Sequence, residues 1–198
     1  MKVIIDNGHG ENTPGKRSLV LEDGRQLFEW AYTREIARRV HSELTAKGVD
    51  VELLVRENID VSLSERTRRE NKITAKYGKS KTICVSIHCN AKGHGDTWED
   101  ARGWSVFVSP NASNNSKKLA TYFADTAQSL LPKIRKPMPN QPYWVQNLAI
   151  CRDTNCPTVL TENLFMDNEQ DCKFLLSPEG KSLIVKLHID AILKYIRI

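Results

Sequence analysis

Five short apolar runs recur along the chain, and most are separated by stretches with helical periodicity; this alternation limits the fold more than any single motif does. The runs are Lys2 to Asp6 (KVIID), Val51 to Val55, Thr82 to Ile87 (TICVSI), Trp104 to Ser109 (WSVFVS) and Pro157 to Thr161 (PTVLT). Glu29 to Lys47 reads as a helix with Ile36, Val40 and Leu44 on one stripe and Gly48 as its stop. Ser62 to Tyr77 is a second helix, with Ser62 and Glu65 at capping-box spacing. Ser113 to Leu131 and Glu179 to Ile196 complete the set, the last with Leu183, Leu187, Ala191 and Tyr195 in period. Strands that alternate with helices predict an α/β domain: a twisted, mostly parallel, mixed sheet of about five to six strands with helices on both faces.

One domain over residues 1–198 is the expectation from length, since a chain of 198 residues buries about 70% of its unfolded surface without staples. No internal repeat or low-complexity tract divides it. The Pro-rich stretch from Leu131 to Trp144, which contains Pro132, Pro137, Pro139 and Pro142, reads as a loop or lid rather than a linker. With 40% hydrophobic and 27% charged residues, disordered, collagenous and membrane classes are excluded. The five cysteines are odd in number and lack a C-x-x-C pair, so neither a disulfide framework nor a zinc ribbon is indicated. The opening MKVIID passes straight into a strand, with no signal-type apolar region, and no stretch is long enough to span a bilayer.

Open α/β sheets carry their sites at the carboxyl ends of their strands. The first run ends in Asp6-Asn7-Gly8-His9-Gly10, the third in His88-Cys89-Asn90-Ala91, and the fifth in Glu162-Asn163. Glu29 lies seven residues before Ile36, and seven steps of about 100° return to nearly the same helix face. Glu29 is therefore directed at the sheet, from the helix end nearest those strand termini. A carboxylate there is costly without a cation or donors. Two imidazoles and one carboxylate are the His₂Glu set of a catalytic zinc site, which leaves a coordination position for water. Glu162 is then free to serve as a base.

Each residue alone has an ordinary explanation: a histidine after a strand is commonly a hydrogen-bonded loop residue, and a first-turn glutamate suits the helix dipole. Their convergence carries the argument. Other chemistries fail on specific grounds. His9-Gly10-Glu11 matches the first half of a zinc deaminase motif, but Cys151 and Cys156 lack the P-C-x-x-C of the second. H-E-x-x-H, G-x-S-x-G and phosphate-binding glycine patterns are absent. Cys89 reads as a small buried residue beside a ligand rather than a nucleophile. His41 and His188 read as surface or half-buried helix residues, and His94 as the one remaining histidine near the site. Arg66, Arg68, Arg69, Lys72 and Lys76 are mixed with Glu65 and Glu70 and read as a solvated helix face, so no nucleic-acid partner is expected.

The segments IIDNGHG, EWAYTREIA, VRENIDVSLSERTRREN, VSIHCNA, GWSVFVS, LAICR and PTVLTENLFMDNEQD, in this order over nearly the whole chain, resemble the zinc-dependent N-acetylmuramoyl-L-alanine amidases of the amidase type 3 family. The resemblance implies one zinc per chain on His9, Glu29 and His88, with Glu162 as the catalytic carboxylate. It implies a peptidoglycan hydrolase, endolysin or autolysin, that cuts between N-acetylmuramic acid and the first L-alanine of the stem peptide. Cys89, Leu164 and Asp167 depart from the family's usual Ala, Gly and Ser, which bears on pocket shape and leaves the ligands and base intact.

Asn163 and Trp144 are expected to touch substrate, Asn163 at the oxyanion and Trp144 in the wall of a groove. Peptidoglycan is the expected partner of a monomeric catalytic domain without a separate wall-binding domain or membrane insertion, and the formal charge of +5 suits an anionic wall. Two routes to the wall fit such a start: cytoplasmic synthesis with phage-type release by another protein, or export with a leader absent from this chain. A zinc carboxypeptidase or aminopeptidase anchored by Arg102 or Arg152, and a non-catalytic module of the same fold, are the rival functions.

Overall fold

A computed structural model describes residues 1–138 and 140–196; Pro139 of the Pro-rich stretch lies outside the described residues. Among the described residues, six strands and six α-helices follow one another as β1 (Lys2–Asn7), α1 (Glu29–Ala46), β2 (Asp50–Leu53), α2 (Leu63–Tyr77), β3 (Thr82–Asn90), β4 (Ser105–Val108), α3 (Asn114–Leu130), β5 (Trp144–Val145), α4 (Ala149–Arg152), β6 (Thr158–Phe165), α5 (Glu169–Leu176) and α6 (Pro178–Ile196). The predicted mixed α/β sheet is present, in the order β2-β1-β3-β6-β4-β5. The four strands from β2 to β6 run parallel, while β4 lies antiparallel to β6 and parallel to β5.

Strand β1 feeds β2 on one side, and β3 then pairs on the other, so the chain reverses direction across the sheet at β1 and β3. Such a switch point opens a crevice at the strand ends. Along the strands, alternate residues enter two separate cores. Ile5, Val85, Ile87 and Val106 join the larger core with residues of α1, α3 and α6, while Ile4, Cys84, Phe107 and Leu160 join the smaller one with Ile150 of α4. Helices therefore cover both faces, and the edge strand β2 stays only half-covered.

Local signals placed most boundaries. Ser62 caps α2 through its hydroxyl, which accepts from Glu65 N at 3.3 Å, and Ser113 caps α3 by accepting from Ser116 N at 3.1 Å. Glu65 turns its carboxylate to Arg68 and Arg69, so only half of the expected capping box forms. Two expected strands proved longer: β3 continues through His88 to Asn90, and β6 through Glu162 to Phe165. The β3–β6 register moves from His88 opposite Glu162 to Asn90 opposite Phe165, which inserts one extra residue into β6. Leu164 absorbs that bulge with φ 63° while fully buried. A glycine would adopt this conformation freely; leucine there stores roughly 1–2 kcal/mol of strain.

His188 corrects the reading of it as a surface or half-buried residue. It is fully buried, stacked edge-on against Phe123, with Nε2 3.0 Å from Thr161 Oγ1 and Nδ1 2.8 Å from Ile184 O. Burial pushes its pKa down to about 4, a value opposed only by the Ile184 contact. The folded pKa thus lies below the unfolded one, so the neutral ring contributes stability above pH about 6.5 and loses it as pH falls toward 4. We expect the parent to lose on the order of 3 kcal/mol more than His188→Leu between pH 6.5 and 4. Urea unfolding across that range checks this, and parallel curves for the two proteins contradict it.

Candidate active site

Residues that follow β1 hold the first imidazole in an uncommon backbone state. His9 has φ 58°, and its carbonyl accepts from Arg34 Nη2 at 2.9 Å and Arg66 Nη2 at 3.2 Å. Arg34 also donates to Gly8 O, while Arg66 donates to Asn7 O at 2.6 Å and pairs with Asp6 Oδ1 at 2.7 Å. Both guanidinium groups are buried. Together they collect the outward-turned carbonyls of residues 7–9 and offset the strain of a left-handed histidine. Arg66 is therefore a buried positioning residue, which corrects its assignment to a solvated face. Arg68 and Arg69 on the same helix are occupied by Glu65 and Glu57.

Two glycines allow the close approach. A Cβ on Gly8 would meet the His88 ring at 2.4–2.8 Å, and one on Gly10 would lie 1.9 Å from Asp60 N. The imidazole of His88 thus lies directly over Gly8. Helix α1 brings Glu29 in at its first residue, where the backbone N–H donates to Lys16 O at 3.0 Å.

The carboxylate of Glu29 sits between the two rings. Its Oε1 is 3.2 Å from His88 Nδ1 and accepts from Cys89 N at 3.0 Å, and its Oε2 is 3.4 Å from His9 Nε2. The rings are nearly perpendicular, with centroids 5.1 Å apart. One donor atom from each of His9, Glu29 and His88 lies within 4.8 Å of the others, a group able to hold a metal ion. Glu29 is 1% exposed, and its Oε2 has no hydrogen-bond partner among the described residues. A buried carboxylate oxygen in that state, beside two imidazoles, fits a site for a bound cation.

Electrostatics follow the same geometry. Burial lowers the pKa of His9 to about 4, against the pull of Glu29. Burial alone would raise Glu29 and lower His88, yet their mutual contact outweighs it, holding Glu29 below and His88 above their ordinary values. Glu162, across the β3–β6 ladder from His88, stays outside the group of His9, Glu29 and His88. Burial raises it to about 7, with Glu29 adding and His88 opposing, and its Oε2 also lacks a partner among the described residues. Cys89 is buried and its thiol pKa is raised well above the ordinary value by burial, which leaves no thiolate for nucleophilic chemistry.

Asn163 lies behind the site. It is fully buried, accepts from Trp104 Nε1 at 3.0 Å, and donates to His88 O at 2.9 Å and Thr161 Oγ1 at 3.3 Å. Strand alternation sets it on the same buried face as Thr161, so its amide is engaged on the back of His88 and not open to the cleft. Trp144 lies on the edge strand β5, two strands from β6, stacked near Phe107 with Nε1 donating to Arg135 O at 3.2 Å. Its surroundings are those of a packing residue. His94 is exposed and stands apart from the trio.

The family model described as N-acetylmuramoyl-L-alanine amidase matches residues 3–194. The chain belongs to this amidase type 3 family. It is 27% identical over 191 residues, 96% of its length, to an endolysin of Bacillus phage SPP1, and 27% identical over 97% of its length to a sporulation-specific N-acetylmuramoyl-L-alanine amidase of Bacillus subtilis. The matches span 64% and 67% of those two proteins, so the chain covers about two thirds of their length. In fold it resembles the amidase from Clostridium difficile 630, with a TM-score of 0.78 at 24% identity and coverage of 99% and 96% of the two chains. The catalytic domain of the amidase CwlV from Paenibacillus polymyxa var. colistinus gives 0.78 at 21%, over 99% and 98%.

Within this amidase fold, the pairing of Arg66 with Asp6 is the buried support on which the His9 turn rests. Arg66→Met is expected to cost about 3–5 kcal/mol, because it leaves the Asp6 charge uncompensated inside the protein. Exposed Arg68→Met on the same helix is expected to stay within about 0.5 kcal/mol of the parent. Urea denaturation of the two variants checks the contrast.

Proposed function

We propose that this amidase domain hydrolyses the amide between the lactyl group of N-acetylmuramic acid and L-alanine of the peptidoglycan stem, with zinc as its resident metal. The observation that carries it is the buried Glu29 carboxylate, held between two imidazoles with one oxygen unpartnered among the described residues. His9, Glu29 and His88 supply the two nitrogens and one oxygen that zinc takes in hydrolytic sites. Bound there, zinc supplies a Lewis acid that polarises the amide carbonyl and makes water acidic enough to attack near neutral pH.

Glu162 takes the proton from the attacking water onto its carboxylate. It then delivers that proton to the nitrogen as the C–N bond breaks, so that a muramoyl carboxylate and a free L-alanine amine are released. Its place across the sheet from His88, outside the ligand trio, suits a proton carrier. Asn163 supports turnover from behind by holding the His88 carbonyl, and Trp144 packs the sheet edge.

The peptidase alternative needs a free cation for the substrate terminus. Both of its candidates are engaged: Arg102 with Asp171 and Gln170, and Arg152 with Asp153 and Asn147. Nothing comparable favours it. Among the described residues no helix is long and apolar enough to cross a membrane.

Purified without chelator, the chain is expected to hold about one zinc, measured by elemental analysis, and to release stem peptides with a free N-terminal alanine from sacculi, identified by mass spectrometry. Trimmed stems in place of intact ones point to a peptidase. Glu162→Gln should keep fold and zinc while turnover falls about 10²- to 10⁴-fold. Glu29→Gln should lose zinc, because a neutral amide is a poorer ligand for the dication. The reverse pattern exchanges the two assignments.

A further inference from the structure

Helix α1 begins without a polar cap. Its N-cap is Phe28, which has the extended backbone of a cap but no side-chain hydrogen bond, whereas α2, α3 and α5 are capped by Ser62, Ser113 and Asn168. An aromatic ring is a poor cap, because it accepts nothing from the open N–H groups of the first turn. Phe28 is not buried in compensation: it is 42% exposed. Its ring serves neither the helix nor the core, and it remains open to contact from outside.

Trp30, two residues on, is half-buried. The guanidinium of Arg34 lies 5.7 Å from its ring centroid, and the same group donates to His9 O at 2.9 Å. The indole is thereby tied to the turn that carries the first imidazole. Phe28 and Trp30 line a cavity of about 170 Å³ with Asn12, Thr13 and Arg17. One wall of this cavity is the loop that follows His9, and the other is the pair of aromatic residues on either side of Glu29. The walls are joined where Arg17 bridges Phe28 in antiparallel fashion and Lys16 O accepts the Glu29 N–H at 3.0 Å. The cavity therefore adjoins the group of His9, Glu29 and His88. Aromatic surface beside amide, hydroxyl and guanidinium groups is the lining that suits a sugar ring, whose C–H bonds form an apolar face and whose hydroxyl and acetamido groups take hydrogen bonds.

We propose that Phe28 and Trp30 form a sugar-binding subsite, which takes the pyranose ring that bears the scissile lactyl amide. The inference rests on the amidase reading of the site. In that substrate an ether oxygen and one carbon are all that separate the ring from the carbonyl that is cut, so the ring has to settle on surface beside the metal-holding group. The aromatic pair that flanks Glu29 offers such surface. Stacking there holds the sugar while the peptide side of the amide stays free to leave.

The test compares N-acetylmuramoyl-L-alanyl-D-isoglutamine with D-lactoyl-L-alanyl-D-isoglutamine, which has the same amide and no sugar. The zinc-loaded parent is expected to favour the muramoyl substrate by about tenfold in kcat/KM, the yield of one good ring contact. In Trp30→Ala that ratio should fall to about twofold or less, mainly through KM, and Trp30→Tyr should keep most of it. Phe28→Ser should lower the ratio as well, yet raise the thermal midpoint by about 2–4 °C, because serine supplies the missing cap. Calorimetry with linear glycan strands stripped of stem peptides gives a readout apart from turnover: the parent should bind them, and Trp30→Ala and Phe28→Ser should bind at least about threefold more weakly with zinc content unchanged. Equal kcat/KM on the two substrates in the parent, or unchanged glycan affinity in both variants, overturns the subsite and leaves the amidase reading intact. Hydrolysis of neither substrate by the zinc-loaded parent removes the amidase reading and the subsite with it.

Discussion

The Glu29 carboxylate, out of water and bracketed by His9 and His88, sets the conditions that the rest of this structure meets. A buried charge of this kind is tolerated only with donors or a cation on every oxygen. Oε1 is served by Cys89 N and His88, while Oε2 faces His9 and has no hydrogen bond among the described residues. Three segments far apart in sequence must therefore arrive at one point with little freedom: the turn after β1, the first residue of α1, and the end of β3. The topology makes that meeting cheap, because β1 and β3 are neighbours at the switch point and α1 follows β1 directly.

Polar side chains around the two histidines fix what the topology only brings near. In front, Arg34 and Arg66 take the carbonyls of residues 7–9 and hold His9 in its left-handed state. Behind, His188, Thr161 and Asn163 form a buried chain of hydrogen bonds that ends on the His88 carbonyl, with Trp104 closing the remaining acceptor of Asn163. Most of these links are buried and the rest partly so, and inside a protein a satisfied network is rigid and a broken one costly. The front arginines and the rear asparagine act on different histidines, so the two imidazoles are positioned independently.

Much of this was legible in sequence. The strands, the four long helices and the convergence of His9, Glu29 and His88 follow from period, caps and strand ends, because those signals are local and the topology rules are few. What escaped reading was what depends on tertiary contact. Strand β6 was expected to stop at Thr161 because Glu162 and Asn163 are polar, yet the ladder to β3 and the hydrogen bonds of Asn163 carry them inside. Strand β5 spans only two residues beside a Pro-rich stretch and has no periodic signature. Helix α5 is short and shows itself only through the Asn168 cap, whose side chain accepts from Asp171 N. His188 and Arg66 were misjudged for one reason: a polar residue on a helix is assumed to face water unless a buried partner is known, and here the partners come from β6, β1 and the turns beside them.

Leu164 shows how a departure in sequence can be absorbed without disturbing the chemistry. The extra residue in β6 requires one left-handed position, and glycine would satisfy it without strain. Leucine bears a backbone penalty there but buries its whole side chain in the larger core, and full burial of a leucine returns about 1.5–3 kcal/mol. The two terms are of similar size, so the bulge persists. Its consequence falls after Glu162, which stays in register with His88: Leu164 enters the larger core and Phe165 pairs with Asn90. A regular strand would keep the His88 register through to Asn90 and shift every residue after Glu162 by one place. Ordinary alternation already sets Glu162 and Asn163 on opposite faces of β6; the bulge after them turns Leu164 into the same core as Val159, and the leucine's own side chain helps to hold the irregularity there.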